Sequence, residues 1–142
     1  MIRQDLYIEE YDWCVTVFYC VSRRWTREVM EELAAAGCSG DSLRDAWSIL
    51  VKDDRNTGLT YSSFPLRRSV MVISRTSSPE EFMNSWDHEK GHLVMHVAKC
   101  FVLDPFGEKV QYLSGRVAQL MFPVAGKFLC GHCRKELFTK FA

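Results

Sequence analysis

The sequence predicts an α+β domain in which an antiparallel or mixed sheet packs on helices. Three observations lead there. Leu6 to Val21 is dense in aromatic and β-branched residues. Leu59 to Ser62 and Arg67 to Ser74 are two more short runs of strand type, joined around Phe64-Pro65. Stretches with helical spacing and recognisable caps lie between and after these runs. The chain has 142 residues, which suits one domain with a real core. No internal repeat or low-complexity linker marks a boundary, so residues 1–142 read as a single unit.

The elements follow in order. Leu6 to Val21 reads as one long strand, and its second half is apolar on both faces, as in a central strand. Trp25 and Met30 flank Thr26 as a hydrophobic staple would, and the helix they open runs to Gly37, a natural residue just past a helix end. Asp41 is the expected cap of a second short helix carrying Leu43, Trp47 and Leu50. Asp53 to Gly58 reads as a solvated turn. Ser78-Ser-Pro-Glu-Glu then opens a long helix: Ser78 caps it, Pro79 fits the first position and Glu81 completes a capping box. Phe82, Trp86, Leu93, Val97 and Phe101 give this helix its apolar stripe over roughly twenty residues. Asp104 and Pro105 look like the start of another, with Phe106, Val110, Leu113, Val117, Leu120 and Met121 as its buried face.

Composition narrows the function. Hydrophobic residues make up 47% of the chain and charged ones 25%, the balance of a water-soluble globule. Lysine plus arginine equal aspartate plus glutamate at 18 each, so no overall field favours nucleic acid or a membrane surface. No apolar run is long enough for a span, and Ile2-Arg-Gln-Asp-Leu6 is no signal peptide. A cytoplasmic location is therefore expected, with the six cysteines as reduced thiols.

The most informative segment is His88-Glu-Lys-Gly-His92, an H-E-x-x-H within the long helix. Four residues are a little more than one turn, so both imidazoles leave nearly the same face and can share a Zn²⁺ at about 2.0–2.1 Å each. Glu89 falls beside the metal, where a carboxylate can act as general base and then return the proton to a leaving amine. The competing reading is a solvated His/Glu/Lys face on an amphipathic helix. Catalytic zinc normally has a third protein ligand. His96 extends the pattern but lies another turn along, about 6 Å away, which reads as a supporting or packed side chain. Glu108 is the better candidate, since a helical hairpin would bring it back toward the histidines. With a turn near 104 and antiparallel helices, however, the residue level with His92 falls near 115, leaving Glu108 displaced by about 10 Å. The alternative for Glu108 is a first-turn acid that complements its own helix.

His88-Glu-Lys-Gly-His-Leu-Val-Met-His96 resembles the H-E-x-x-H-x-x-x-H helix of small gluzincin-type metallopeptidases. Glu108-Lys-Val-Gln-Tyr-Leu-Ser-Gly115 resembles the E-x-x-x-Y-L-x-G segment of small zincin-like proteins from phages and mobile elements. The resemblance spans about residues 56 to 122. Lys90 departs from it, because an apolar residue is usual there, and the interval from His92 to Glu108 is short for the larger gluzincins. It implies a small zincin-like domain, zinc on His88, His92 and Glu108, and Glu89 as the catalytic base. The implied activity is hydrolysis of a peptide bond in an intracellular protein or peptide. The alternative is a zincin-fold binding or assembly protein that hydrolyses nothing, with or without metal.

In that mechanism an extended peptide would add to Val70–Ser74 if that strand lies at a sheet edge. Tyr112 or His96 would stabilise the oxyanion. Arg67, Arg68 and Arg75 would either select an acidic substrate or keep the strand soluble. Cys130-Gly-His-Cys133 is a C-x-x-C, open to three readings: half of a structural zinc site, a redox pair, or ordinary thiols.

Overall fold

The N-terminal apolar run splits in two. The computed structural model, which describes the backbone of residues 1–141 and the side chains of residues 1–139, has β1 at Ile2–Ile8 and β2 at Trp13–Val21. They pair antiparallel from Ile2↔Tyr19 to Ile8↔Trp13. The single long strand expected over Leu6–Val21 is thus corrected to a hairpin. Glu9–Tyr11 form a 3₁₀ turn and Asp12 adopts φ 48°. Glu9, Glu10 and Asp12 have no apolar face to bury, and aspartate tolerates the left-handed region that closes the turn.

β3 (Gly58–Ser63) and β4 (Arg68–Ser74) form a second antiparallel pair, and β4 lies parallel to β2. The order β1-β2-β4-β3 makes a four-stranded mixed sheet with β1 and β3 at its edges. The expectation of a free edge at Val70–Ser74 is overturned, because β4 is flanked on both sides. The free edge beside it belongs to β3.

Strand alternation sorts the core into two layers. Val15, Val17, Tyr19, Met71 and Ile73 point to one side, where Phe82, Leu93, Val97, Leu113 and Phe128 meet them. Phe18, Val70 and Val72 point to the other, against Val29, Leu33, Ala46 and Leu50. Cys20 (φ 58°) sits in a bulge that puts Phe18 and Val21 on the same face.

The second layer holds α1 (Thr26–Ala35) and α2 (Gly40–Lys52). α1 ends in a Schellman motif: Cys38 N–H donates to Leu33 C=O at 3.0 Å and Gly37 N–H to Ala34 C=O at 3.0 Å, with Gly37 at φ 96°. Ser39, not Asp41, occupies the cap position of α2, and Asp41 pairs with Arg44 in its first turn. Trp47 is 53% exposed and does not join the core as its spacing suggested; Ala46 and Leu50 are the buried residues there.

On the opposite face lie α3 (Pro79–Cys100), α4 (Glu108–Leu129) and α5 (Gly131–Phe141). Ser78 caps α3, its Oγ accepting the Glu81 N–H at 3.1 Å. α4 begins three residues later than Pro105. Asp104 turns on itself instead, its Oδ1 accepting the Phe106 N–H at 2.9 Å, and Phe106 is left 95% exposed. α3 and α4 form an antiparallel hairpin whose register is fixed by two contacts. Trp86 Nε1 donates to Met121 Sδ at 3.3 Å, and Lys90 Nζ donates to Ser114 Oγ at 2.8 Å. Among the described residues no helix is long and apolar enough to cross a membrane.

Candidate metal centre

The capped start of α3 places His88, Glu89 and His92 in its middle turns, with the sheet edge alongside. His88 Nε2 and His92 Nε2 face one another at 3.2 Å on the exposed side of the helix. Two nitrogens bound to one tetrahedral zinc at about 2.0–2.1 Å each would stand about 3.3–3.4 Å apart, so the pair already has the separation of two ligands.

Glu89 points the other way round the helix and is only 5% exposed. Its Oε1 accepts the Thr60 hydroxyl at 2.8 Å, and its Oε2 lies 4.0 Å from His88 Nε2. Thr60 sits on β3, and Gly58 two residues earlier permits the close approach. A Cβ on Gly58 would come within 2.9 Å of Glu89 Cγ and 2.5 Å of Val72 C=O. Further along, Ser62 Oγ is 2.7 Å from His96 Nδ1. Gly58, Thr60 and Ser62 therefore form a small, polar row on the face of β3 turned to α3. This row was not singled out from the sequence, although the polar–apolar alternation of Gly58-Leu-Thr-Tyr-Ser62 signals it.

His96 ends a hydrogen-bonded chain into the core. Trp13 Nε1 donates to Ser69 Oγ at 2.8 Å, Ser69 Oγ is 2.6 Å from Ser62 Oγ, and Ser62 reaches His96. Indole can only donate, and Ser69 is fully buried. The arrangement that leaves no buried hydroxyl proton without an acceptor passes Ser69's hydrogen to Ser62 and Ser62's to His96 Nδ1. His96 is then neutral with its proton on Nε2. Burial, and then the charges of His92 and Lys99, push its pKa down, which agrees with that state.

A cleft of about 300 Å³ opens beside Glu89 and His88, lined also by Asn56, Thr57, Gly58, Asn84 and Ser85. Asn84/His88 and Ser85/Glu89 are each one turn apart, so these four residues form its helical wall.

Glu108 is not brought to the histidines. The Lys90–Ser114 contact puts the residue level with His92 near 112–114, so exposed Glu108 lies toward the turn by about 6–9 Å along the axis. Among the described residues, no three His, Cys, Asp or Glu side chains are grouped so as to hold a metal ion. Tyr112 is 72% exposed and lines a different cleft, with Tyr11, Phe101 and Leu103. Lys90, between the two histidines, donates to Ser114 Oγ on α4 and lies 3.7 Å from Asp87 Oδ1. No protein-family model, curated protein or solved structure matches the chain.

The three arginines considered for substrate selection are engaged within the fold. Arg68 pairs with Glu32, Arg75 with Asp53 at 3.0 Å, and Arg67 with Asp12 at 3.7 Å. Each thus has a carboxylate partner within the fold.

Proposed function

We propose that this is a small zincin-like protein that binds zinc through His88 and His92 and hydrolyses a peptide bond with Glu89 as general base. The observation that carries the reading is the facing pair of Nε2 atoms at 3.2 Å, next to a buried carboxylate that opens on a cleft. A zinc ion there would supply Lewis acidity to a carbonyl and to water. The chain's own groups supply the rest. Thr60 holds Oε1 of Glu89, which leaves Oε2 free to take a proton from water in the cleft and return it to the departing amine. Among the described residues β3 pairs with β4 alone, so its outer edge can pair with an extended peptide and carry it past Glu89. His96, with a proton on Nε2, is a donor for developing negative charge if it reaches the carbonyl. The substrate is an intracellular protein or peptide.

The position of Glu108 favours a second reading. Two imidazoles without a third protein ligand make an incomplete catalytic site. A zincin-fold binding or assembly protein, with or without metal, needs nothing further. The two readings part on Glu89→Gln. As a peptidase, the zinc-loaded protein cleaves a diverse synthetic peptide pool read by mass spectrometry. Glu89→Gln then retains zinc and loses activity by about 10²–10⁴-fold. Undiminished cleavage by Glu89→Gln would sink the mechanism. No cleavage by the zinc-loaded wild type would favour the binding reading.

A further inference from the structure

The C-x-x-C of the sequence acquires a specific setting in the structure. Cys130 ends α4 in an extended conformation (φ −110°, ψ 127°), and Gly131 starts α5. Arg134 N–H donates to Cys130 C=O at 2.9 Å, the first bond of the new helix. Cys130 is therefore the residue capping α5, and Cys133 is the third residue inside it. Both sulfurs lie in the first turn, where residues three apart have Cβ atoms about 5–6 Å from one another. A disulfide needs Cβ atoms about 3.5–4.5 Å apart, so oxidation would draw Cys130, which lies in extended backbone just ahead of the helix, toward Cys133. Cys130 is exposed and Cys133 half-buried, so an incoming reagent meets Cys130 first.

We propose that Cys130 and Cys133 form a thiol–disulfide exchange site, with Cys130 as the attacking sulfur and Cys133 as the resolving one. The co-reactant is a disulfide, whether of a small thiol or of a protein. Cys130 loses its proton and attacks one sulfur of R–S–S–R′; that S–S bond breaks and R′–S⁻ leaves to be protonated. Cys133 loses its proton and attacks Cys130 Sγ, and R–S⁻ leaves in turn. One external disulfide is reduced to two thiols, and the two cysteines are oxidised to one disulfide.

The local hydrogen bonds support this division of labour. The Cys133 backbone N–H, then its thiol, then the His132 N–H donate to Cys130 and hold its pKa below the usual thiol value. The same thiol contact raises Cys133. The helix N-terminus adds its positive dipole end to the favoured thiolate. Glu136 lies on the same helix and opposes it; it is 3.7 Å from His132 Nε2. No other pair of the six cysteines shares this spacing.

The test uses the full chain and glutathione as the probe. At pH 6.5, pulse alkylation with iodoacetamide should modify Cys130 at least about threefold faster than exposed Cys14, an internal control on β2. Equilibration with oxidised and reduced glutathione should then yield a Cys130–Cys133 disulfide as the dominant product by peptide mass. Cys133→Ser should accumulate a glutathione adduct on Cys130. A disulfide-bonded model protein in place of glutathione separates the two sources: reduction of one and not the other assigns the natural co-reactant. Equal alkylation of Cys130 and Cys14, together with no 130–133 disulfide in fully oxidised glutathione, would overturn the proposal. So would tightly bound zinc that is lost in Cys130→Ser and retained in His92→Ala.

Discussion

Replacing Gly58 by alanine tests how the sheet edge is joined to α3. The added methyl would stand 2.5 Å from Val72 C=O and 2.9 Å from Glu89 Cγ. Ordinary contact begins near 3.4 Å, so something must move by about 0.9 Å at the first of these. The obstacle is backbone in the neighbouring strand, paired through Gly58↔Ile73 and Leu59↔Val72, which cannot swing aside as a side chain can. Gly58 does not need a positive φ, so alanine is not excluded by conformation. Its smaller unfolded-state entropy would by itself stabilise by about 0.4–1 kcal/mol. Overpacking costs about 1–3 kcal/mol and opposes that gain. The net expectation is a loss of about 1–2 kcal/mol, read as a lower urea midpoint at unchanged m-value. The same displacement pushes on Glu89, so zinc-loaded Gly58→Ala should also lose hydrolysis. An alanine variant as stable as the wild type, with unchanged activity, would refute the close packing of β3 on α3.

Two further outcomes follow. α3 closes with the same Schellman motif as α1, Leu103 N–H donating to Ala98 C=O at 2.8 Å, but with Val102 at φ 54° where α1 has Gly37. A β-branched residue in that conformation is strained by about 1–2 kcal/mol, and Val102 is 89% exposed, so Val102→Gly should raise stability by about 0.5–1 kcal/mol after the entropy of glycine is deducted. A lower urea midpoint would contradict it. Burial lowers the pKa of His96 below its ordinary 6.5, so the fold favours the neutral ring. The corresponding stability is present above about pH 6.5 and is lost as the pH falls through the depressed value. Urea midpoints from pH 7.5 to 5 should therefore decline in wild type and decline less in His96→Asn; parallel curves would remove His96 from the account.

Local chemistry made much of the fold legible. Ser78-Ser-Pro-Glu-Glu marks the start of α3 because cap, proline and first-turn acids all act within one turn. Gly37 marks the end of α1 for the same reason. Val102 does the job of Gly37 without its signature, and Phe106 lies at a core-like spacing yet faces solvent, so the start of α4 was misplaced. The β1–β2 turn was hidden because Glu9, Glu10 and Asp12, with Tyr11 among them, interrupt an aromatic run too briefly to look like a loop. At the site, the i, i+4 spacing of His88 and His92 carries their convergence directly. The partnership of Glu89 with Thr60 and Gly58 depends on which strand lies at the edge. That is decided by long-range pairing, which no local pattern contains. The displacement of Glu108 was foreseeable from helix rise alone, and the Lys90–Ser114 contact fixes it.

The central claim is a zinc site on α3, and zinc content tests it most directly. Wild type, His92→Ala and Glu108→Ala should be purified without affinity tags that bind metal, dialysed against zinc, and assayed by elemental analysis. The account predicts one zinc per wild-type chain, its loss in His92→Ala and its retention in Glu108→Ala, because Glu108 lies away from the histidines. A wild-type protein that holds no zinc after dialysis would contradict the account.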